Sequence, residues 1–306
     1  MTVVGMIGLG IMGSAMSGHL LARGFEVRGF DVSAARADEL RAAGGTAEAS
    51  VAAVAEAADV VVTSLPTPEA ALEVCAELAG ALRPGRVVVE TSTLSLEVKR
   101  ALRDSLAAVG ATVLDCPLSG TGAQALERDV VVYGSGDPAA FETVRPVLEA
   151  FSRSVRHLGD FGSGSVMKYV ANLLVAIHNA STAEAFALGT RAGLDPAQLY
   201  ETIRDGAGSS VIFERRGRLM VDRQYLPATA KVSMFVKDVG LVQDLATSMD
   251  LPTPMLDATL PLYQRAVDSG LAEADAASLL QVMGSATGRV PATGEDAGTH
   301  EGGTGR

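Results

Sequence analysis

Short hydrophobic runs rich in β-branched residues alternate with alanine-rich amphipathic stretches through the first half of the chain. The intervening stretches, such as Ala34–Ala43 and Ser95–Val109, have a helix-forming composition. Strands that alternate with helices are typical of βαβ units, so residues 1–160 are predicted to form a doubly wound parallel sheet of the α/β class. The predicted strands are Val3–Ile7, Glu26–Phe30, Val60–Leu65, Val87–Thr91, Thr112–Leu114 and Val130–Tyr133.

The second half of the chain lacks such runs and is predicted to be all-helical. One long helix is predicted from Ser165 to Ala192, and because it is apolar over most of its circumference we expect it to be buried between domains or between subunits. Residues 161–286 are thus predicted to be a helical domain, and residues 287–306, rich in Gly, Thr and charge, a disordered tail. The other predicted helices are Pro196–Arg204, Met234–Ser248, Pro254–Ser269 and Ala274–Met283.

Charge and composition argue against several classes of binding partner and against a metal site. The 306 residues include 25 Lys plus Arg against 36 Asp plus Glu, a net charge of −11. This argues against nucleic acid or an anionic membrane as partner, because clustered cations bind both. Apolar runs fall short of the ~20 residues of a spanning helix and the N-terminus lacks a basic signal-peptide region, so we expect a cytoplasmic protein. The two cysteines and four histidines lack metal-ligand spacing, and no metal site is predicted.

A glycine-rich loop follows the first predicted strand. The run Gly8-Leu9-Gly10-Ile11-Met12-Gly13 has the spacing in which the first glycine makes a tight turn, the second admits a pyrophosphate and the third lets a helix pack closely. Asp31 ends the next strand about 20 residues on, where a carboxylate binds a ribose 2′-hydroxyl and repels a 2′-phosphate. The pattern predicts a Rossmann-type domain that binds NAD in preference to NADP. The alternative is a glycine-rich turn in an unrelated α/β fold.

A lysine stands near the start of the long predicted helix. Either Ser163 or Ser165 is a candidate N-cap, which would put Lys168 in or near the first turn. Both the helix dipole and burial there would lower the pKa of a lysine towards neutrality, as a general acid/base requires. Asn172 follows one turn later on the same face and is a candidate substrate ligand. The alternative, a surface lysine at a frayed end with a structural asparagine, stays open on spacing alone.

Four segments in order along nearly the whole chain resemble the β-hydroxyacid dehydrogenases, the group of 3-hydroxyisobutyrate dehydrogenase, tartronate semialdehyde reductase and L-threonate dehydrogenase, related to 6-phosphogluconate dehydrogenase. Gly8–Gly13 is similar to the cofactor loop of that family and Asp115–Gly122 to its substrate loop. Gly162–Asn172 is similar to its catalytic segment, and Lys237-Asp238 to a lysine–aspartate pair late in the chain.

The resemblance implies roles for individual positions. Lys168 would be the catalytic acid/base and Asn172 would orient the substrate, whose carboxylate Ser119 and Gly120 would hold. Ser92-Thr93 resembles the family's pair near the nicotinamide, with Thr93 the stronger candidate. Leu65-Pro66 resembles the loop beside the adenosine half, and Lys237 the lysine that reaches towards the cofactor and active site.

Two departures from the family pattern lie beside the expected substrate. Thr121 stands where the family usually has a second glycine, and it is included in the predicted substrate site. Glu127-Arg128-Asp129 stands where a glycine commonly precedes the next strand. Both changes leave the reaction class untouched and bear on which substrate is bound.

The resemblance implies a reversible NAD-dependent oxidation of a small anionic β-hydroxy acid of the 3-hydroxyisobutyrate, threonate or tartronate-semialdehyde type. One alternative is an imine-type reductase of similar architecture, whose members generally lack the lysine; another is a non-catalytic dinucleotide-binding module. A homodimer or homotetramer is expected, because so apolar a long helix needs more cover than one small helical domain provides.

Overall fold

Six parallel strands form the central sheet of the computed structural model, which describes residues 2–284. The strands are β1 Val3–Ile7, β2 Glu26–Phe30, β3 Thr46–Ala47, β4 Val60–Thr63, β5 Val87–Glu90 and β6 Thr112–Asp115, and the helices between them are α1 Ile11–Ala22, α2 Ala34–Ala42, α3 Val51–Ala57, α4 Pro68–Ala81 and α5 Leu96–Ala107. The strand order is β3-β2-β1-β4-β5-β6, with every neighbouring pair parallel. This is the predicted doubly wound sheet, whose order reverses between β1 and β4.

Alternate side chains of the central strands enter two separate cores. Val60 and Val62 of β4 pack with α1 and α2 on one face, whereas Val61 packs with α3, α4 and α5 on the other. Both faces of the sheet are therefore covered, which explains why these strands are continuous β-branched runs and not alternating ones.

A second, smaller sheet follows the first. It contains β7 Leu118–Ser119, β8 Val131–Gly134 and β9 Ser154–His157, with α6 Gly122–Leu126 and α7 Pro138–Phe151 between them. β7 runs antiparallel to β8, and β9 runs parallel to it. The run predicted at Val130–Tyr133 is a strand, but of this sheet. β3, β7 and β9 were not predicted, because two-residue strands carry no periodicity and β9 includes Arg156 and His157.

The rest of the described chain is helical. Its elements are α8 Ser163–Arg191, α9 Pro196–Arg204, α10 Val211–Asp222, α11 Val232–Ser248, α12 Pro254–Asp268, a 3-10 turn at Ala276–Ser278 and α13 Leu279–Gly284. Helix α10 was not predicted, because its charged centre conceals a buried face that includes Phe213 and Met220. The tail predicted at 287–306 lies outside the described residues.

Helix α8 is buried on one face and exposed on another. Tyr169, Ala176, Ala183 and Phe186 belong to the core of the helical half. Five large apolar side chains of the same helix are exposed in the single chain, namely Val166, Met167, Val170, Leu174 and Leu188. No helix within residues 2–284 is both long enough and apolar enough to cross a membrane.

Candidate active site

The glycine loop links β1 to α1 in a close-packed turn. Gly8 has a φ of +89°, and a Cβ there would lie 2.2 Å from the carbonyl oxygen of Ser64. A Cβ on Gly13 would lie 1.9 Å from the carbonyl oxygen of Gly8, so α1 packs directly on the turn. Gly10 differs, since a Cβ there would meet no atom within 4 Å. It is the N-cap of α1 and supplies no side-chain cap, which leaves the positive end of the helix open to an anion.

Asp31 lies beside this loop, at the carboxyl end of β2. Its carboxylate accepts hydrogen bonds from the backbone N–H groups of Leu9, at 2.7 Å, and Ser33, at 2.8 Å. The predicted acid is therefore held in place against the predicted cofactor loop. Arg36, five positions after Asp31, pairs with Glu39 at 2.9 Å.

The ends of β4 and β5 bring the next predicted residues together. The N–H of Leu65, which precedes Pro66, donates to Ser92 Oγ at 2.9 Å. Lys237 of α11 donates from Nζ to the carbonyl oxygen of Thr93 at 2.9 Å. The predicted cofactor residues of both halves of the chain thus meet at one edge of the sheet.

The predicted substrate loop packs against the cofactor loop. Ser119 ends β7, and its half-buried hydroxyl has no hydrogen-bond partner among the described residues. Gly120 has a φ of +146°, and a Cβ there would lie 2.7 Å from Val130 Cγ1. A Cβ on Gly122 would lie 2.4 Å from Ile11 Cγ2, so the two loops touch.

Thr121 stabilises the start of helix α6 in this loop. It is the N-cap of α6, and its hydroxyl accepts from the N–H of Gln124 while its own N–H donates to Gln124 Oε1. The other departure from the family pattern, at Glu127-Arg128-Asp129, contacts the helical half of the chain. Arg215 of α10 forms an ion pair with Asp129 at 3.1 Å. The predicted contact of Thr121 with substrate stays a prediction, and its polar groups are already engaged.

Lys168 lies one turn deeper in the helix than the sequence predicted. The N-cap of α8 is Gly162, with a φ of +99°, and neither Ser163 nor Ser165 caps the helix. The effect of the dipole is concentrated in the first turn, and Lys168 is in the second. Burial, the other expected cause, is the main one that lowers the pKa of Lys168, with a further lowering by Lys237 and an opposing effect of Asp238.

The amine of Lys168 is not engaged by its surroundings. It is half-buried, and within residues 2–284 its Nζ makes no hydrogen bond or ion pair. Asn172, one turn on, donates from Nδ2 to Asp238 Oδ2 at 3.0 Å, and Lys237 Nζ lies 3.2 Å from Asp238 Oδ1. Asn172 and Lys237 therefore contact one carboxylate, that of Asp238, whose charge also acts on Lys168. In the described part of the chain, no three His, Cys, Asp or Glu side chains are grouped as metal ligands.

Comparison with known proteins covers both halves of the chain. Residues 3–159 match the family described as the NAD binding domain of 6-phosphogluconate dehydrogenase, and residues 162–283 match the family described as NAD-binding of NADP-dependent 3-hydroxyisobutyrate dehydrogenase. The chain is 35% identical over 212 residues to L-threonate dehydrogenase of Pectobacterium atrosepticum, an alignment that spans 69% of each protein. It is 33% identical over 247 residues to NAD-dependent L-serine dehydrogenase of Pseudomonas aeruginosa, spanning 78% of this chain and 83% of the relative.

A solved structure agrees with these matches over nearly the whole fold. The crystal structure of 3-hydroxyisobutyrate dehydrogenase from Salmonella typhimurium superposes with a TM-score of 0.84 at 32% identity, covering 92% of this chain and 100% of that one. The chain belongs to the β-hydroxyacid dehydrogenase family. The predicted resemblance, fold class and enzyme class are thereby confirmed: this β-hydroxyacid dehydrogenase is an oxidoreductase with an NAD-binding domain that acts on CH–OH donors.

Sequence reasoning missed polar side chains that support this β-hydroxyacid dehydrogenase site. Asp238 was noted only as the neighbour of Lys237, and its bond to Asn172 joins residues 66 positions apart. Lys99, Glu90 and Asp115 form a fully buried ion cluster below the site. A lysine on the apolar face of amphipathic α5 was the available signal, because a buried charge requires a partner.

Proposed function

We propose that this dehydrogenase reversibly oxidises a small β-hydroxy acid, with Lys168 as the general acid/base. One observation carries the proposal most directly, namely that a half-buried lysine of lowered pKa has an unengaged amine beside Asn172. An acid/base must exchange a proton with the substrate, and an amine already bound to a carboxylate would do so poorly. Lys168 lies within the second turn of α8 and is partly covered, which supports this role over that of a surface lysine at a frayed helix end.

The residues of the Rossmann-type half fit NAD. The open space beside Gly10, the uncapped end of α1 and the fixed carboxylate of Asp31 suit a pyrophosphate and a ribose with a free 2′-hydroxyl. Leu65, Pro66, Thr93 and Lys237 would complete the site at the ends of β4 and β5. Bound NAD supplies the hydride acceptor of the reaction.

Each remaining step falls to a residue of this chain. Ser119 and the backbone of Gly120 would hold the substrate carboxylate, the former through a hydroxyl that is half-buried and unpaired. Asn172, fixed by Asp238, would orient the substrate hydroxyl towards Lys168. Neutral Lys168 then accepts the hydroxyl proton at Nζ during oxidation and returns it during reduction.

The named relatives support a short hydroxy acid as substrate, and purified protein tests this directly. NADH formation is measured with NAD and a panel of 3-hydroxyisobutyrate, glycerate, L-threonate and L-serine, with amine formation from an imine as a separate arm. Turnover of at least one hydroxy acid is expected. Tight NAD binding without hydroxy-acid turnover would favour the non-catalytic module, and imine reduction alone would favour the reductase. Both alternatives are less supported, because the relatives are named dehydrogenases and Lys168 is present.

Replacing Asp31 by asparagine should weaken the preference for NAD over NADP. The Asp31→Asn change removes the charge that repels a 2′-phosphate and retains one acceptor oxygen for Leu9 or Ser33. We expect the ratio of kcat/KM values to fall about tenfold, or about 1.4 kcal/mol. Asp38→Asn is the matched control, since Asp38 is exposed on α2 and the charge change is the same. Equal ratios in the two variants would remove Asp31 from cofactor selection.

The two directions of the reaction should depend oppositely on pH. Oxidation needs the neutral amine of Lys168, so kcat/KM should rise about tenfold per pH unit up to its pKa, which burial places below that of an ordinary lysine. Reduction needs the ammonium form and should fall above the same pKa. Rate profiles in both directions check this, and a shared optimum for the two directions is the result that contradicts a single acid/base.

We further propose a homodimer or homotetramer. The exposed apolar side chains of α8 favour burial against a second copy, and Leu188 is 72% exposed in the single chain. Light scattering that gives the monomer mass would exclude the assembly. The domain boundary after residue 160 and the cytoplasmic location stay predictions.

A further inference from the structure

A buried ion cluster joins the ends of β5 and β6. Lys99 of α5 is fully buried, and its Nζ lies 2.6 Å from both Glu90 Oε2 and Asp115 Oδ1. Glu90 and Asp115 face each other in the register of the two parallel strands. Without a cation between them, these two carboxylates would be like charges side by side in a region without water.

Asp115 also binds the first turn of α8. Its Oδ2 accepts from the N–H of Ser165 at 2.8 Å, and its Oδ1 accepts from the Ser165 hydroxyl at 2.8 Å. Ser135 lies against the same carboxylate, and its hydroxyl oxygen accepts from the N–H of Gly164 at 3.0 Å. The open N–H groups of Gly164 and Ser165 at the start of α8 are therefore satisfied by side chains of the other half of the chain.

The approach of α8 to this anchor is close. A Cβ on Gly164 would lie 2.2 Å from the carbonyl oxygen of Tyr133 and 2.8 Å from that of Asp115. Tyr169 adds a second attachment, because its hydroxyl donates to the carbonyl oxygen of Leu94. Lys168 lies between these two attachments, so the position of its amine depends on how α8 is seated.

The charge of Lys99 is firmly held. Burial alone lowers the pKa of Lys99, but Asp115 and Glu90 outweigh that effect and raise it above the ordinary lysine value. Lys99 is thus a permanent cation, and the three side chains together carry a single net negative charge. The charged groups that act on Lys168 itself are different ones, Asp238 and Lys237 of α11.

We propose that Lys99 is a positioning residue for the reaction: by pairing with both Glu90 and Asp115 it holds the Asp115 carboxylate against Ser165, and so seats the turn of α8 that presents Lys168. The inference rests on the proposed role of Lys168. Lys99 reaches neither the glycine loop nor Asp31, so its effect is on the placement of the acid/base and not on the adenosine half of the cofactor site.

Lys99→Met tests the inference, because it removes the cation, keeps an unbranched side chain and leaves two facing carboxylates. The readouts are kcat and the pH midpoint at which the amine of residue 168 reacts with an acylating reagent, mapped by peptide mass spectrometry. A loosened α8 buries Lys168 less, so the midpoint should move to higher pH. We expect kcat to fall about ten- to a hundredfold, with the dissociation constant of NAD changed by less than about threefold.

Charge balance is restored in the double variant Lys99→Met/Glu90→Gln, which again carries one net negative charge. The amide oxygen of Gln still accepts from the N–H of Ser92, as Glu90 does at 2.8 Å. The double variant should recover most of the loss in kcat and return the midpoint towards that of the unmodified protein. The matched control is Leu102→Ala, which opens a cavity in the apolar core beneath α5, the helix that carries Lys99. It should lower thermal stability without moving the midpoint.

Three results would overturn the inference: an unchanged midpoint in Lys99→Met, an equal shift in Leu102→Ala, or a double variant that rescues nothing. Should Lys99→Met fail to fold, Ser165→Ala decides, because it removes one bond of α8 to Asp115; a raised midpoint supports the inference and an unchanged one rejects it. The midpoint does not depend on turnover, so this outcome is separable from failure of the proposed acid/base.

Discussion

Replacing Lys168 by alanine should abolish turnover while leaving NAD binding nearly intact. The amine is the proposed proton acceptor in oxidation and donor in reduction, and a positioned acid/base contributes about 10²–10⁴-fold to the rate. The side chain makes no hydrogen bond or ion pair within the described residues, so its removal strands no buried partner. We therefore expect kcat to fall by at least this factor, measured as NADH formation, at unchanged thermal stability.

The control for this variant is Lys231→Ala. Lys231 is an exposed lysine that pairs with Glu273 at 2.6 Å, and its loss should leave kcat within about twofold. NAD affinity of both variants, measured by calorimetry, should match the unmodified protein. Near-normal turnover in Lys168→Ala would remove the lysine from the chemistry, whereas lost NAD binding would assign it to the cofactor.

The local sequence pattern was sufficient to predict those elements and loops whose residues lie in one short segment of the chain. The hydrophobic runs of β1 and β2 predicted their bounds, and the glycine loop with Asp31 indicated the cofactor side before any contact was known. The resemblance to the family implied that Lys168, Thr93 and Lys237 serve one site, although Thr93 and Lys237 are 144 positions apart. The strands and the glycine loop are short-range features of the sequence, and each glycine of the loop has a specific local reason.

Contacts between segments that are distant along the chain could not be predicted from the sequence. The predicted N-cap of α8, Ser163 or Ser165, was wrong. Side chains from other elements, Asp115 and Ser135, accept hydrogen bonds from the first N–H groups of the helix. Of the two causes expected to lower the pKa of Lys168, burial is the larger, because α8 begins earlier than predicted and Lys168 lies beyond its first turn. The contacts of the Thr121 hydroxyl and N–H with Gln124 were likewise not predicted, and the assignment of Thr121 to substrate stays a prediction.

Replacing Gly13 by alanine should disrupt the cofactor site, even though it adds only a methyl group. The new Cβ would lie 1.9 Å from the carbonyl oxygen of Gly8. The backbone fixes the position of both atoms, so no change of rotamer can relieve the clash. Helix α1 must then move away from the turn, and its positive end with it. We expect NAD affinity, measured by calorimetry, to fall at least about tenfold, together with a lower melting temperature.

Gly18→Ala separates this steric effect from the general effect of alanine in a helix. Gly18 is exposed on the same α1, and a Cβ there would meet no atom within 4 Å. Because glycine inside a helix costs about 0.5–1 kcal/mol relative to alanine, this control should melt at the same or a higher temperature and bind NAD normally. If the two variants bound NAD equally well, the close contact between α1 and the glycine turn would have no part in binding, and the pyrophosphate site would have to lie elsewhere on the sheet edge.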